Sequence, residues 1–282
     1  MERPLSDRAP KVRTPAGTVD THMHFYTDRH KGQPGGPPPP MPATIEHYRQ
    51  LQKWLGLEYV VIVQPNAYQL DNGCLLECLE ELGPVARAIV AIKPDISDKE
   101  LNRMHELGVR GVRIMEFPGG AAGLHMLKPL MERVGHLGWH PIVQFNSRDI
   151  LKWYDLLDSI EGPWVYDHIG KFIDPVAPAS PEFQAMLKLA AKPNCHPKLS
   201  APYETSKTGG PAFEDVSRLA RKLVEVAPDR CLWASNWPHV GVDMATAYPS
   251  DVDLLDVLAD WAPDEAVRNA ILADNPGRLY GF

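Results

Sequence analysis

Short apolar segments alternate with longer amphipathic segments along almost the whole chain. The apolar runs indicate strands, because strands buried on both faces of a parallel sheet are continuously hydrophobic. We predict eight strands, at 17–24, 59–64, 86–92, 111–115, 141–145, 164–169, 196–200 and 231–236. Segments with helical spacing follow the strands. They predict helices at 44–56, 98–107, 147–159, 181–191, 218–227, 251–261 and 264–273, together with one helix that ends at 82 and one that ends at 138.

This alternation predicts an α/β fold, a single (β/α)8 TIM barrel that spans residues 1–282. The alternative is an open, doubly wound sheet. We favour the barrel because polar residues follow every strand and no glycine-rich phosphate loop follows the first one. Residues 1–16 predict a surface arm, and the proline- and glycine-rich residues 27–42 predict a long active-site loop after the first strand.

Composition excludes several classes of partner. The formal charge is −7, and the lysines and arginines are interspersed with acids, so we expect neither nucleic acid nor an acidic membrane as a partner. No apolar run approaches the roughly 20 residues of a spanning helix, and we expect a cytoplasmic protein. We interpret the four cysteines as structural thiols.

Polar side chains collect where the predicted strands end. His22 and His24 are two residues apart, so they share one face of a strand, and two imidazoles are costly to bury without a ligand, a proton role or polar partners. In a barrel, the residues after each strand surround the active site. The other candidates are Gln64, Asn66, Arg113, Gln144, Asn146, Asp167, His168, Lys171, Lys198, Tyr203, Glu204, Asn236 and His239.

Some of these candidates have a structural alternative. Asp167 neighbours His168, and adjacent strand residues point in opposite directions, so we favour a supporting role for Asp167. For Lys198, the alternative to substrate binding is a structural role as a cation inside the barrel. His239 has the alternative of packing behind Trp237.

Three motifs carry a resemblance to a known family. They are Val19-Asp-Thr-His-Met-His24, Asp167-His168 and Trp233-Ala-Ser-Asn-Trp-Pro-His239. In this order they resemble the lactone-processing branch of the amidohydrolase superfamily, which includes lactonases and a sugar-acid lactone isomerase. The resemblance implies a (β/α)8 barrel that acts on a small-molecule sugar-acid lactone.

The chain departs from the metal-binding pattern of that superfamily. Hydrolytic members hold divalent metals with first-strand histidines, a fourth-strand lysine or acid, fifth- and sixth-strand histidines and an eighth-strand aspartate. Arg113, Gln144 and Asn236 stand at the fourth, fifth and eighth strands here. An arginine adds repulsion toward a cation, so we expect no metal cofactor. The alternative is one divalent metal such as Zn, held by His22, His24 and His168.

The resemblance implies isomerisation of D-galactaro-1,5-lactone to the 1,4-lactone by intramolecular acyl transfer. An amide at Asn236 cannot take a proton from water, which disfavours hydrolysis. The catalytic candidates are His22, His24, His168 and Asn236. Arg113, Lys171 and Lys198 are candidates for a carboxylate. Gln64, Asn66, Gln144 and Asn146 suit hydroxyls, and Tyr203 and His239 complete the predicted substrate site.

Two other functions stay open at this point. A lactonase would use one of the histidines to take the proton of water. A sugar-acid binding protein without catalysis is the alternative from another class. The sequence leaves the oligomeric state open.

Overall fold

The computed structural model describes residues 3–242 and 247–282. Eight parallel strands form one sheet in the order β1 to β8, each strand paired with the next along the chain. The strands are β1 Val19–Met23, β2 Tyr59–Val63, β3 Ala86–Val90, β4 Val109–Glu116, β5 His140–Phe145, β6 Trp164–Tyr166, β7 Cys195–Leu199 and β8 Leu232–Trp233. The (β/α)8 barrel prediction is confirmed.

Helices separate the strands and cover the outside of the barrel. They are α1 Ile45–Leu55, α2 Gly73–Leu82, α3 Asp98–Leu107, α4 Leu127–Val134, α5 Ile150–Asp158, α6 Pro181–Ala190, α7 Glu214–Val226, α8 Asp251–Asp256, α9 Leu258–Trp261, α10 Glu265–Asn269 and α11 Asn275–Tyr280. The hydroxyl of Thr44 caps α1 by accepting from the His47 amide, and α1 ends at Gly56, which has a left-handed backbone.

Several predicted boundaries are wrong. The predicted strands 164–169 and 231–236 are too long, because His168 and Asn236 have left-handed backbones with φ of 48° and 58°, which end the extended conformation. The predicted helix 251–261 is divided into α8 and α9, and α11 was not predicted. Pro276 lies in the first turn of α11, directly after a π-helical turn at Ala270–Asp274 that joins α10 to α11.

The barrel is closed between its first and last strands by a buried carboxylate. Asp20 Oδ1 accepts from the amides of Ser235 (3.0 Å) and His22 (3.2 Å), while Oδ2 accepts from the Ser235 hydroxyl (2.5 Å) and the Tyr48 hydroxyl (2.9 Å). The Asn236 amide also donates to the His22 carbonyl at 2.9 Å. These bonds fix the end of β1 against the loop that follows β8.

The N-terminal residues and the first loop pack on the barrel surface. Residues 3–16 contain neither helix nor strand, and Arg8 forms ion pairs with Asp253 (2.5 Å) and Asp256 (2.6 Å) of α8. Residues 1 and 2 of the predicted arm lie outside the described residues. Tyr26 and Ala43 pair at the base of the proline-rich loop.

Two further features concern the cysteines and the length of the helices. All four cysteines are free and buried, as expected for structural thiols. No helix within residues 3–242 or 247–282 has the length and apolar character needed to cross a bilayer.

Candidate active site

An irregularity in β1 turns its two histidines into the barrel. Asp20 pairs with Val60, but Met23 pairs with Ile62, so β1 has one more residue than β2 over this stretch. Without the extra residue, strict alternation would place His22 on the outer face with Asp20. A bulge of this kind re-aims the side chains that follow it. His22 and His24 therefore face inward, although Asp20 faces the helix layer.

The three histidines predicted as catalytic lie together at the carboxyl end of the barrel. The ring centroid of His22 is 4.9 Å from that of His24 and 4.8 Å from that of His168. The His24 ring reaches the site from the end of β1, and His168 reaches it from the turn after β6. All three rings are buried, with at most 6% of each residue exposed.

A buried ion pair supports this cluster from below. The Asp167 carboxylate lies 3.3 Å from Lys198 Nζ, from His22 Nδ1 and from His168 Nε2. Asp167 and Lys198 have fully buried side chains. Burial opposes the charge on Asp167, but the neighbouring His168, Lys198 and His22 hold its pKa well below the ordinary value. Asp167, for which a supporting role is predicted, therefore contacts two histidines and a lysine.

Burial keeps the three imidazoles neutral at neutral pH. Loss of hydration lowers the pKa of His24 to about 3 and that of His168 to about 4, and it lowers the pKa of His22 well below 6.5. Asp167 opposes these shifts but does not outweigh burial. Neutral imidazoles can accept a proton or donate a hydrogen bond, and they carry no positive charge before the reaction begins.

A bond to a backbone carbonyl fixes the tautomer of His24. His24 Nδ1 lies 2.7 Å from the Val63 carbonyl, which can only accept, so Nδ1 carries the hydrogen and Nε2 carries the lone pair. His22 Nδ1 lies 3.2 Å from Lys198 Nζ and 3.3 Å from Asp167 Oδ1, a donor and an acceptor, so these contacts suit either tautomer. The two nitrogens of His168 contact the Ser200 hydroxyl (2.7 Å) and Asp167 (3.3 Å). His24 is thereby the ring of the cavity wall whose tautomer leaves Nε2 unprotonated.

A small polar cavity of about 120 Å³ lies above the histidines. Its lining residues are His24, Tyr26, Pro37, Asn66, Ala67, Arg113, Met115, Gln144, His168, Lys171, Glu204, Asn236 and Val240. Seven of the residues predicted as catalytic or substrate-binding are among them, and Pro37 comes from the proline-rich loop. The lining supplies amides, a guanidinium, an ammonium and a carboxylate, which suits a small ligand rich in hydroxyls and carrying an acid group.

The orientation of Asn236 is set by an ordered chain of hydrogen bonds behind the cavity. Its Nδ2 donates to the Tyr203 hydroxyl (2.8 Å) and to Glu204 Oε1 (3.1 Å). The Tyr203 hydroxyl donates in turn to His239 Nδ1 (2.9 Å), because His239 Nε2 donates to Asp251 (2.9 Å). Within residues 3–242 and 247–282, no group donates to the amide oxygen of Asn236, which is directed away from Tyr203 and Glu204.

Six predicted site residues are placed outside the cavity wall. His22 and Lys198 lie beneath it, and Tyr203 and His239 lie behind Asn236. Gln64 is directed away because Val61 and Val63 face the barrel interior, and its amide donates to the carbonyls of Gln69 and Asp71. Asn146 caps the turn after β5 by accepting from the Arg148 amide.

Left-handed backbone marks several residues of the site. His168, Lys171, Asn236 and His239 have φ between 45° and 58°. This conformation is uncommon for residues other than glycine and is concentrated at functional sites, where the surrounding contacts maintain it. The turns after β6 and β8 are therefore built to aim these side chains rather than to extend the sheet.

A divalent metal fits this cluster poorly. Donor atoms of His22, Asp167 and His168 lie within 4.8 Å of one another. However, the Asp167 carboxylate is already paired with the Lys198 ammonium, which also contacts His22 Nδ1, and the Arg113 guanidinium stands in the wall above. A dication would therefore meet two fixed positive charges and one compensated carboxylate. Among the described residues, this group of close donor atoms does not include His24, which was part of the predicted ligand set.

Two further residues line the cavity: Glu204, a candidate to which the sequence assigned no role, and Tyr26, which was not a candidate. Glu204 lines the cavity and forms an ion pair with Lys171. Its signal in the sequence was a lone acid in the loop after the seventh strand, and its cationic partner lies far away in the chain. Tyr26 lines the cavity from the loop after β1, and no pattern in the sequence predicts its orientation.

Comparisons with known proteins agree with this architecture. A family model described as amidohydrolase matches residues 19–282. The chain is 39% identical to a D-galactarolactone isomerase from Agrobacterium fabrum, over 99% of this chain and 96% of that protein. It is 34% identical to a 4-sulfomuconolactone hydrolase from Hydrogenophaga intermedia, over 95% of this chain and 89% of that protein.

A solved structure extends the likeness to three dimensions. The apo crystal structure of an Agrobacterium tumefaciens protein superposes with a TM-score of 0.95 at 39% identity, covering 99% of both chains. The family model, the relatives and the barrel geometry agree over almost the full length. The chain belongs to the amidohydrolase family.

Proposed function

We propose that this protein isomerises a sugar-acid lactone, converting D-galactaro-1,5-lactone to the 1,4-lactone by intramolecular acyl transfer without a metal. The observation that carries the proposal is the neutral His24, whose unprotonated Nε2 belongs to the wall of a small polar cavity. Similarity to a D-galactarolactone isomerase over 99% of the chain supports the substrate. Asn236, an amide, lies in the same wall.

One imidazole is sufficient for the proton transfers of this reaction. The 4-hydroxyl attacks C1 of the 1,5-lactone and gives its proton to His24 Nε2, which forms a tetrahedral intermediate and an imidazolium. The C1–O5 bond then breaks, and the imidazolium returns the proton to O5. Because O4 and O5 are on adjacent carbons, the same ring reaches both oxygens. Protons balance, and water is not consumed.

The buried carboxylate below the cluster supports this transfer. Asp167 raises the proton affinity of His24 through space, against the larger effect of burial. It thereby stabilises the transient imidazolium without accepting the proton, as a carboxylate does behind a catalytic histidine. Lys198 keeps Asp167 ionised and holds the His22 ring between Asp167 and His24.

The substrate carboxylate and hydroxyls find separate partners. Lys198 is fully buried and paired, so Arg113 in the cavity wall is the better partner for the carboxylate, and its planar guanidinium suits bidentate contact. The amides of Asn66 and Gln144 face the hydroxyls of the sugar acid. The amide oxygen of Asn236 accepts from another hydroxyl of the substrate, which leaves the hydrogen of the attacking 4-hydroxyl directed at His24 Nε2.

A lactonase is the second candidate, favoured by the similarity to a 4-sulfomuconolactone hydrolase. In that case His24 takes the proton of a water molecule, and the product is a ring-opened acid. Both candidates place the same histidine at the lactone carbonyl, and they differ in which oxygen attacks.

Turnover in water enriched in ¹⁸O separates the two candidates. We expect unlabelled 1,4-lactone, identified by NMR and mass spectrometry, at a rate far above the spontaneous rearrangement. Label entering a ring-opened acid in proportion to turnover would establish the lactonase. Binding without any rate enhancement would establish a sugar-acid binding protein. The same assay after exhaustive chelation should retain its rate; loss that is restored by Zn²⁺ would refute the metal-free mechanism.

A further inference from the structure

The charges around the cavity leave a small positive excess. Its wall contains two permanent cations, Arg113 and Lys171, and one carboxylate, Glu204, among the described residues. Glu204 Oε2 accepts from Lys171 Nζ, and the two side chains are only 18% and 16% exposed. Beneath the wall, Asp167 and Lys198 neutralise each other. With neutral imidazoles, the cavity therefore carries one uncompensated positive charge, on Arg113.

We propose that Glu204 determines the charge of the acid that the cavity accepts. By neutralising Lys171, it leaves a site that matches a lactone with one free carboxylate and disfavours a ligand with two. This inference rests on the proposed function and specifies the substrate class of that site: monoanionic lactones of sugar acids.

The position of Glu204 places its charge inside the cavity. Its Oε1 accepts from Asn236 Nδ2 at 3.1 Å, and its charge acts on both His168 and Arg113. Arg113 Nη1 donates to the Gln64 carbonyl (2.6 Å) and Nη2 donates to Gln144 Oε1 (3.1 Å), which orients the guanidinium that meets one carboxylate of the ligand. In a cavity of about 120 Å³, a second carboxylate would lie near Glu204, and two like charges in a buried site repel strongly. Ring opening of the lactone generates this second carboxylate.

Glu204 is ionised in the free protein. Burial alone would raise its pKa, but Lys171 and His168 lower it below the ordinary value. Because an ionised carboxylate has no hydrogen to donate, Asn236 must present its amino group to Glu204. Glu204 thus sets both the local charge and the orientation of Asn236.

Two open-chain acids test the proposal without turnover. D-Galactonate and D-galactarate share their carbon skeleton and hydroxyl configuration, and they differ by one carboxylate. We expect calorimetric titration to show tighter binding of galactonate by the parent protein. In Glu204→Gln, the ratio of the two dissociation constants should shift toward galactarate by about tenfold or more.

Two further variants separate charge from shape. Glu204→Asp keeps the charge and should keep the parent ratio, within about threefold. The double variant Glu204→Gln with Lys171→Met restores the original net charge, and its ratio should return toward that of the parent. The proposal would be overturned if Glu204→Gln and Glu204→Asp gave the same ratio of dissociation constants. It would also be overturned if the double variant kept the ratio of Glu204→Gln.

The test stays informative if Glu204→Gln does not fold. Lys171→Met alone lowers the net charge to zero, and it should shift the ratio further toward galactonate; an unchanged ratio contradicts the proposal. Because these measurements involve no reaction, their failure is distinct from a failure of the ¹⁸O experiment. A labelled ring-opened product would refute the isomerase and leave the charge preference standing.

Discussion

The two halves of the barrel interior differ in composition and in what they contribute to stability. Toward the amino ends of the strands it is an apolar plug, made of Val19, Val61, Val63, Ile89, Ile142, Val165, Leu232 and Tyr280. Toward the carboxyl ends it is a layer of imidazoles, two carboxylates and cations. The plug stabilises the fold by burying apolar side chains, each contributing about 1.5–3 kcal/mol. The polar layer costs desolvation energy and maintains charges and tautomers suited to chemistry.

The change between the halves occurs within single strands. Ile142 belongs to the plug, and Gln144, two residues later on β5, lines the cavity. On β1 the change from Val19 to His22 needs the extra residue between them. Position along the strand, rather than the identity of the strand, separates stability from function in this barrel.

Replacement of His24 by glutamine should give the largest effect on turnover. The amide cannot accept the proton of the attacking hydroxyl, so we expect kcat to fall by about 10³-fold or more. The matched control is His140→Gln, because His140 is an equally buried histidine in the lower half, 5.1 Å from the Tyr280 ring. The control should retain kcat within about threefold. Comparable losses in both variants would show that His24 acts only through the fold.

Replacement of Asp167 by asparagine should give the largest effect on stability. The change leaves the fully buried Lys198 ammonium without its counter-charge, which costs about 3–5 kcal/mol. Urea denaturation measures the loss. The double variant Asp167→Asn with Lys198→Met should recover most of this stability and remain inactive. A single variant as stable as the parent would contradict the buried ion pair.

Acid should destabilise the protein through its neutral histidines. The pKa values of His24 and His140 are about 3, and that of His168 is about 4, all lowered chiefly by burial. The unfolded chain binds protons near pH 6.5, so stability is complete above that pH and decreases as the pH falls toward 3–4. Each histidine contributes a slope of up to about 1.4 kcal/mol per pH unit.

Urea midpoints at pH 7.5, 6.0 and 5.0 test this dependence. His140→Gln should flatten the slope by the contribution of one histidine, because glutamine does not titrate. A midpoint that is constant or rises as the pH falls would show that these imidazoles are protonated in the folded protein.

Trimming the plug should give the smallest effect and leave the chemistry intact. Ile142→Val removes one methylene group from a packed interior and should cost about 0.5–1.5 kcal/mol of unfolding free energy. We expect kcat/KM within twofold of the parent. Gln144→Met, two residues along the same strand, should instead lower kcat/KM with little loss of stability. A large loss of kcat/KM in Ile142→Val, with Gln144→Met losing stability but not kcat/KM, would contradict this division of the barrel interior.

The fold was accessible from the sequence because its signal is repeated eight times. Each buried strand is a short apolar run, and each run is followed by helical spacing, so a misjudged boundary did not change the class. The three histidines were also accessible, since the motifs place them after the first and sixth strands. Their common direction depends on the extra residue in β1, which nothing in the motif reveals.

The rest of the site depends on contacts that the sequence does not encode locally. A continuous apolar run such as 59–63 gives no alternation, so the outward direction of Gln64 could not be inferred. Tyr203 and His239 reach Asn236 from behind, through partners in the loops after β7 and β8 and at the start of α8. The pairing of Glu204 with Lys171 likewise joins the loops after β6 and β7.

The tautomer of His24 is the most direct test of the mechanism. Long-range ¹H–¹⁵N correlation spectra of protein labelled in histidine report the protonation of both ring nitrogens, and His24→Gln assigns the signal. We predict a neutral ring with a protonated Nδ1 and an unprotonated Nε2 from pH 8 down to pH 5. An imidazolium at pH 7, or a hydrogen on Nε2, would contradict a mechanism in which this nitrogen takes the first proton.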